Sequence, residues 1–154
     1  MDNTVERAAD RTPVHLWIVG GLAALWGAVG CYDYLMTRMR NTDYLASMMP
    51  TVDPQAMLAW VDAFPLWAQF GWGLGVWGGL AGAILLLMRS RWAVWGMALS
   101  LLGAVLGLGY QLAAAPPLPG MDATMSKIMP VVIILVAAAL FLYARAMEKK
   151  GVLK

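Results

Sequence analysis

Four stretches free of charged residues divide this chain: Thr12–Tyr32 between Arg11 and Asp33, Ala63–Met88, Trp92–Met121 and Ile128–Ala144. Crossing the hydrocarbon core of a bilayer takes about 20 apolar residues. Lipid offers the backbone no hydrogen-bond partner, so such a segment must be helical. The composition supports the same reading, because 61% of the 154 residues are hydrophobic and only 13% are charged. Soluble domains hold about 45–50% and 25% of these, and one domain of this length cannot enclose the excess in a single core. The fold class expected is all-α: an integral membrane four-helix bundle with spans at about 14–37, 66–88, 92–114 and 125–146. A polar tail at 1–13 and a basic tail at 147–154 flank the membrane domain, 14–146. The third apolar run outlasts its span because it includes Ala115-Pro116-Pro117-Leu118-Pro119-Gly120, where three prolines and a glycine end the helix. This composition excludes a nucleic-acid binder, a disordered segment and a disulfide scaffold.

Lysine and arginine counts give the orientation. Arg7, Arg11, Arg89, Arg91, Arg145, Lys149, Lys150 and Lys154 make eight on one side, against Arg38, Arg40 and Lys127 on the other. Both termini are therefore expected in the cytoplasm of a bacterial inner membrane, with the loop 38–65 and the proline loop facing outward. Within the first loop, Asp53-Pro54 reads as an N-cap followed by proline at the first helical position. Met57, Trp60, Val61 and Phe64 then form one apolar stripe, so a short interfacial helix is expected over 54–64, stopped by Pro65.

Small residues recur at helical spacing: Gly20, Ala24, Gly27, Cys31 and Tyr34 on the first span; Gly71, Gly75, Gly78 and Gly82 on the second; Gly96, Ser100, Gly103, Gly107, Tyr110 and Ala114 on the third. Such stripes let backbones approach closely, which is how helices associate in lipid. Gly27, Gly75, Gly78, Gly82, Gly103 and Gly107 are the expected packing positions; the competing reading of the stripes is a path for a solute.

Polar residues gather at the outward ends of the spans. An ionisable group at the centre of a span costs about 2.5–3.5 kcal/mol and points to function by default, though the cost falls towards the ends. Asp33 lies near such an end, about 120° around the helix from Gly27 at 100° per residue. The candidate ligand-binding set is Asp33, Tyr34, Tyr110, Gln111, Lys127 and Trp60, with Asp33 and Lys127 paired across a pocket that the 54–64 helix covers. The alternative is a set of interfacial groups wetted by headgroups. Eight of the twelve methionines lie on the same side, among them Met121, Met125 and Met129 at i, i+4, i+8. Thioethers suit Cu(I), although methionine is more often an adaptable apolar filler. Ala28-Val29-Gly30-Cys31 resembles a lipoprotein cleavage box, but alanine replaces the usual leucine and three acids precede the apolar run, so the segment is read as a retained span.

His15 is the only histidine and Cys31 the only cysteine, which leaves no bis-histidine haem site, no thiolate metal cluster and no disulfide exchange pair within one chain. No Ser-His-Asp set, phosphate loop or paired intramembrane carboxylate is visible. No catalytic residue, metal site or cofactor is expected. Phe64-Pro65-Leu66-Trp67-Ala68, Gly78-Gly79-Leu80-Ala81-Gly82 and Arg89-Ser90-Arg91-Trp92-Ala93, set in a four-span layout, are similar to segments of small bacterial inner-membrane proteins often labelled "sugar transporter". The layout more distantly resembles DoxX-like proteins. The resemblance implies a four-helix membrane fold and, through the label, solute movement. Small multidrug exporters differ, since Leu22–Gly27 in the middle of the first span carries no acid. The leading expectation is a non-catalytic accessory or small-ligand-binding subunit, homo-oligomeric or part of a larger membrane complex. An oligomeric transporter is the alternative, and periplasmic copper handling the weaker one.

Overall fold

The computed structural model describes residues 12–154. The expected tail lies outside the described residues apart from Thr12 and Pro13, as do Arg7 and Arg11. The described chain is all-helical: α1 Val14–Arg38, α2 Thr42–Met48, α3 Pro54–Asp62, α4 Leu66–Leu87, α5 Ala93–Ala113 and α6 Ala123–Lys149. Four of these, α1, α4, α5 and α6, have 21 to 27 residues and are apolar enough to cross a membrane. At 1.5 Å per residue each exceeds a hydrocarbon core of about 30 Å. They run up, down, up and down. One end, here called proximal, carries the termini and the Arg89–Arg91 turn; the other, distal, carries the two long loops.

The helices do not pack evenly. α4 and α5 form the closest pair, α1 lies on α4, and α6 lies on α5. The glycines explain the first contact. A Cβ on Gly82 would stand 2.9 Å from the amide nitrogen of Met97, one on Gly78 3.1 Å from that of Ser100, and one on Gly75 3.2 Å from that of Ala104. From the other side, Gly107 faces the amide of Trp72 at 3.0 Å, and Gly103 leaves no space at all against Gly71 and Gly75. Gly27 on α1 meets the Leu80 backbone of α4 at 3.0 Å. The polar groups inside these seams are satisfied: Ser100 Oγ donates to the carbonyl of Gly75 at 2.8 Å, and Cys31 Sγ to that of Val76 at 3.4 Å.

α1 and α6 come together only at the proximal end. There Leu16, Ala23, Ala83, Leu86, Ala93, Met97, Ala144 and Met147 form one buried cluster, and Tyr143 Oη lies 2.5 Å from His15 Nδ1. The C-terminal residues close this end. Gly151, at φ +70°, ends α6, and the Val152 amide bonds back to the carbonyl of Met147 at 3.0 Å. Val152 and Leu153 then turn under the bundle and are buried. The Lys154 amide donates to the Arg89 carbonyl at 2.7 Å and the Arg91 amide to the Lys154 carbonyl at 3.0 Å.

The distal end is closed by the loops. α3 begins as its sequence indicates, with Asp53 Oδ2 accepting from the Ala56 amide at 3.0 Å and Pro54 opening the helix. It ends at Asp62, capped by Ala63, and Pro65 is the N-cap of α4 rather than the stop of α3. The seam it buries is Leu58 and Val61, while Met57, Trp60 and Phe64 are half-buried. The same loop holds a second short helix, α2, beyond the one its sequence predicts. Leu45 of α2, Val52, Leu58, Val61 and Leu118 of the proline loop are all buried outside the spans. Thr51 Oγ1 donates to the Gly120 carbonyl at 2.9 Å, tying the two loops together. Gly120 sits at φ +85°, and any Cβ there would run into the Thr51 carbonyl, so only glycine fits.

Candidate functional site

The last turns of α1 hold Asp33, Tyr34 and Arg38, and each meets a different neighbour. Asp33 is half-buried, and its Oδ1 accepts the Tyr44 hydroxyl at 3.2 Å. α2 delivers Tyr44: its N-cap, Asn41, accepts the Tyr44 amide at 3.0 Å and so fixes the first turn. The Tyr44 ring meets Tyr32 edge-on, with centroids 5.4 Å apart. Burial pushes the Tyr44 phenol above its ordinary range, and the Asp33 carboxylate pushes it the same way by charge and by accepting its proton in a hydrogen bond.

Tyr34 turns instead towards α4, edge-on to Trp72 at 4.9 Å and over Gly73, whose missing side chain leaves room for the hydroxyl. The Arg38 guanidinium stands 5.8 Å from the Tyr34 ring centre and donates to Gln69 Oε1 at 3.0 Å. Gln69 in turn donates to the Phe64 carbonyl at 2.8 Å, which anchors the α3–α4 corner. Arg40, at φ +56° just past α1, pairs with Asp62 at 2.5 Å. Both side chains of that pair are about half exposed (59% and 47%), so it contributes at most about 1 kcal/mol.

Trp60 and Tyr110 belong to a separate group. Trp60 Nε1 donates to the Pro116 carbonyl at 2.7 Å, and its ring meets Phe64 at 4.6 Å. Tyr110 contacts Phe64 at 4.9 Å and Trp67 at 5.5 Å, both edge-on. Gln111 is half-buried, Lys127 is exposed, and no hydrogen bond or ion pair joins either to Asp33.

The six candidate residues therefore fall into separate neighbourhoods, and the expected Asp33–Lys127 pairing is not formed. The reason is the order of helix contacts. Asp33 is on α1, which lies against α4, and Lys127 is on α6, which lies against α5 at the end where α1 and α6 are apart. The carboxylate is met by a tyrosine from its own loop instead. Tyr44 and the Arg38–Gln69 contact were missed by sequence reasoning. Asn41, three residues before Tyr44 and of a capping type, was the available signal for the first.

The best-formed cavity at this end has about 70 Å³ and is lined by Thr37, Arg38, Arg40, Leu58, Val61 and Asp62. Small-molecule sites hold roughly 300–1,000 Å³. The distal end is thus a surface of mutually bonded polar groups, with a niche of water or small-ion size. Among the described residues no group of three His, Cys, Asp or Glu side chains could hold a metal ion.

Four apolar helices long enough to span, three of them joined by backbone-close seams, define a multi-pass helical membrane protein. No family model matches the chain, and no curated protein or solved structure matches it either.

Proposed function

We propose that this protein is a non-catalytic accessory subunit of a bacterial inner membrane, with both termini cytoplasmic and the distal cap as its contact face. The cap supports this reading. The first outer loop carries two helices, the two loops together bury Leu45, Val52, Leu58, Val61 and Leu118, and Thr51–Gly120 and Trp60–Pro116 link them. Ordering that much backbone costs about 1–2 kcal/mol per residue. A cap held in one shape suits a surface that another molecule reads, and it presents Arg38, Arg40 and Asp62 side by side. The transporter reading draws on the small-residue stripes, but on α4 and α5 those are filled by the facing backbone.

The test has two arms on the full chain. After extraction in a mild detergent, native mass spectrometry is expected to show the chain in a complex of fixed stoichiometry. The variants Arg40→Ala and Trp60→Ala should weaken that complex while the free protomer stays folded. In liposomes, uptake of neutral sugars is expected to be no faster than without protein. Saturable, protein-dependent uptake would establish the transporter instead, and a lone protomer with no associated molecule would remove the accessory reading.

A further inference from the structure

At the proximal end, an open surface hollow of about 230 Å³, of headgroup rather than drug size, lies between the start of α5 and the last turns of α6, lined by Arg91, Trp92, Trp95 and Glu148. It therefore holds one cationic and one anionic side chain, and the two form no ion pair with each other. Both are exposed, and among the described residues the Arg91 guanidinium has no hydrogen bond; its backbone amide donates to Lys154. The two indoles are 61% and 66% exposed at the depth where the helices leave the apolar span. From them an apolar track continues along α5: Trp92, Trp95, Leu99 and Leu102 follow at i, i+3, i+7 and i+10, and all four are exposed.

We propose that this hollow is a binding site for a zwitterionic phospholipid with a primary amine, of the phosphatidylethanolamine type. The chemistry of the lining selects it. Arg91 offers a planar fork that matches a phosphodiester with two parallel hydrogen bonds. Glu148 accepts N–H bonds from a primary ammonium; a quaternary ammonium has none to give. Trp92 and Trp95 suit the interfacial depth and attract an ammonium of either kind, so the choice between the two rests on Glu148. An acyl chain leaving the headgroup then follows the track to Leu102. A purely anionic lipid satisfies Arg91 but sets its charge against Glu148. The site lies at the membrane surface in either orientation of the protein, so it is independent of the accessory role proposed above.

The experiment is competition. The full chain in mild detergent receives an equimolar mixture of phosphatidylethanolamine, phosphatidylglycerol and phosphatidylcholine with identical acyl chains, and native mass spectrometry reads what is retained. The expected result is one phosphatidylethanolamine per chain in preference to both others. Arg91→Gln should lower its occupancy about tenfold, the scale of one lost charge-assisted hydrogen bond. Glu148→Gln should erase the preference over phosphatidylcholine and raise phosphatidylglycerol. Arg145→Gln, whose guanidinium stacks on Phe141 outside the hollow, should change nothing. Equal retention of the three lipids by the unaltered chain would mean an ordinary lipid annulus and overturn the proposal. So would a preference for phosphatidylglycerol, or an equal loss in Arg145→Gln, since either makes the effect one of bulk positive charge. The unaltered chain decides the main point without any variant.

Discussion

Tyr44 shows how a single side chain can report on its neighbourhood. Its phenol is held above the usual value near 10 first by burial and then by the Asp33 carboxylate, through its charge and the hydrogen bond it accepts. A folded-state pKa above the unfolded one means that the folded chain keeps this proton longer than the unfolded chain does. The stabilisation is thus complete below pH ~10 and is lost as pH climbs through the folded value. In detergent, the melting temperature is expected to fall as pH is raised past that point, and to fall less in Tyr44→Phe. Tyrosinate absorbance gives the complementary reading. Asp33→Asn removes the charge while leaving the burial, so part of the upward displacement of Tyr44 should remain and part should vanish. An unchanged tyrosine titration in Asp33→Asn would show that the carboxylate and the phenol do not interact. Nothing in the spacing of Asp33 and Tyr44 along the chain discloses this contact, because it depends on the reversal at Arg40 and on the asparagine that starts α2.

Among the elements, the pair α4 and α5 is where sequence and structure correspond most directly. Their charge-free length marks them as spans, and their glycine spacing marks the faces that meet, because lipid gives no hydrophobic reward for helix association and close approach has to come from small side chains. The prediction follows from what a side chain would touch. At Gly103 an added methyl group meets the backbone of Gly71 and Gly75, which cannot rotate aside. Overpacking of this kind costs about 1–3 kcal/mol, and a leucine more. At Gly21 nothing lies within 4 Å, so an alanine there adds only helix propensity, worth about 1 kcal/mol. Gly103→Leu is expected to lower the melting temperature in detergent well below that of Leu102→Ala, whose side chain is half exposed, while Gly21→Ala leaves it equal or higher. Similar melting of the two position 102 and 103 variants would show that the seam is not an interface. The pairing order of the helices was far less legible. Stripes on three spans say that each has a close neighbour without naming it, and the expected meeting of Asp33 and Lys127 failed on that point. Pro65 was legible as a break but not as the start of α4, since a proline that ends one helix and one that caps the next look alike in sequence. α2 escaped because seven residues are too few to show a periodicity.

On the scale of the whole molecule, the two ends differ in charge. The proximal end carries Arg89, Arg91, Arg145, Lys149, Lys150 and Lys154 among the described residues, all within the turn before α5 or at the end of the chain. At the distal end, Arg38 and Arg40 are engaged by Gln69 and Asp62, and Lys127 stands in the first turns of α6. Short cytoplasmic segments hold the excess of lysine and arginine, counted near the span ends. The proximal end is therefore expected to face the cytoplasm, which places the folded cap outside the membrane on the opposite side. Single cysteines at Ser47 and Lys150, each introduced with Cys31→Ser, separate the two orientations. Ser47 is exposed on α2 and Lys150 is exposed at the end of α6, so each is open to a reagent from its own side. Cys31 must be removed despite its burial, because its thiol would otherwise label when the membrane is dissolved. With a membrane-impermeant maleimide on intact cells lacking an outer barrier, position 47 should label and position 150 should not; after permeabilisation both should. Labelling of 150 but not 47 in intact cells would reverse the orientation. Labelling of both before permeabilisation would contradict the odd number of spans that separates the two positions in this fold.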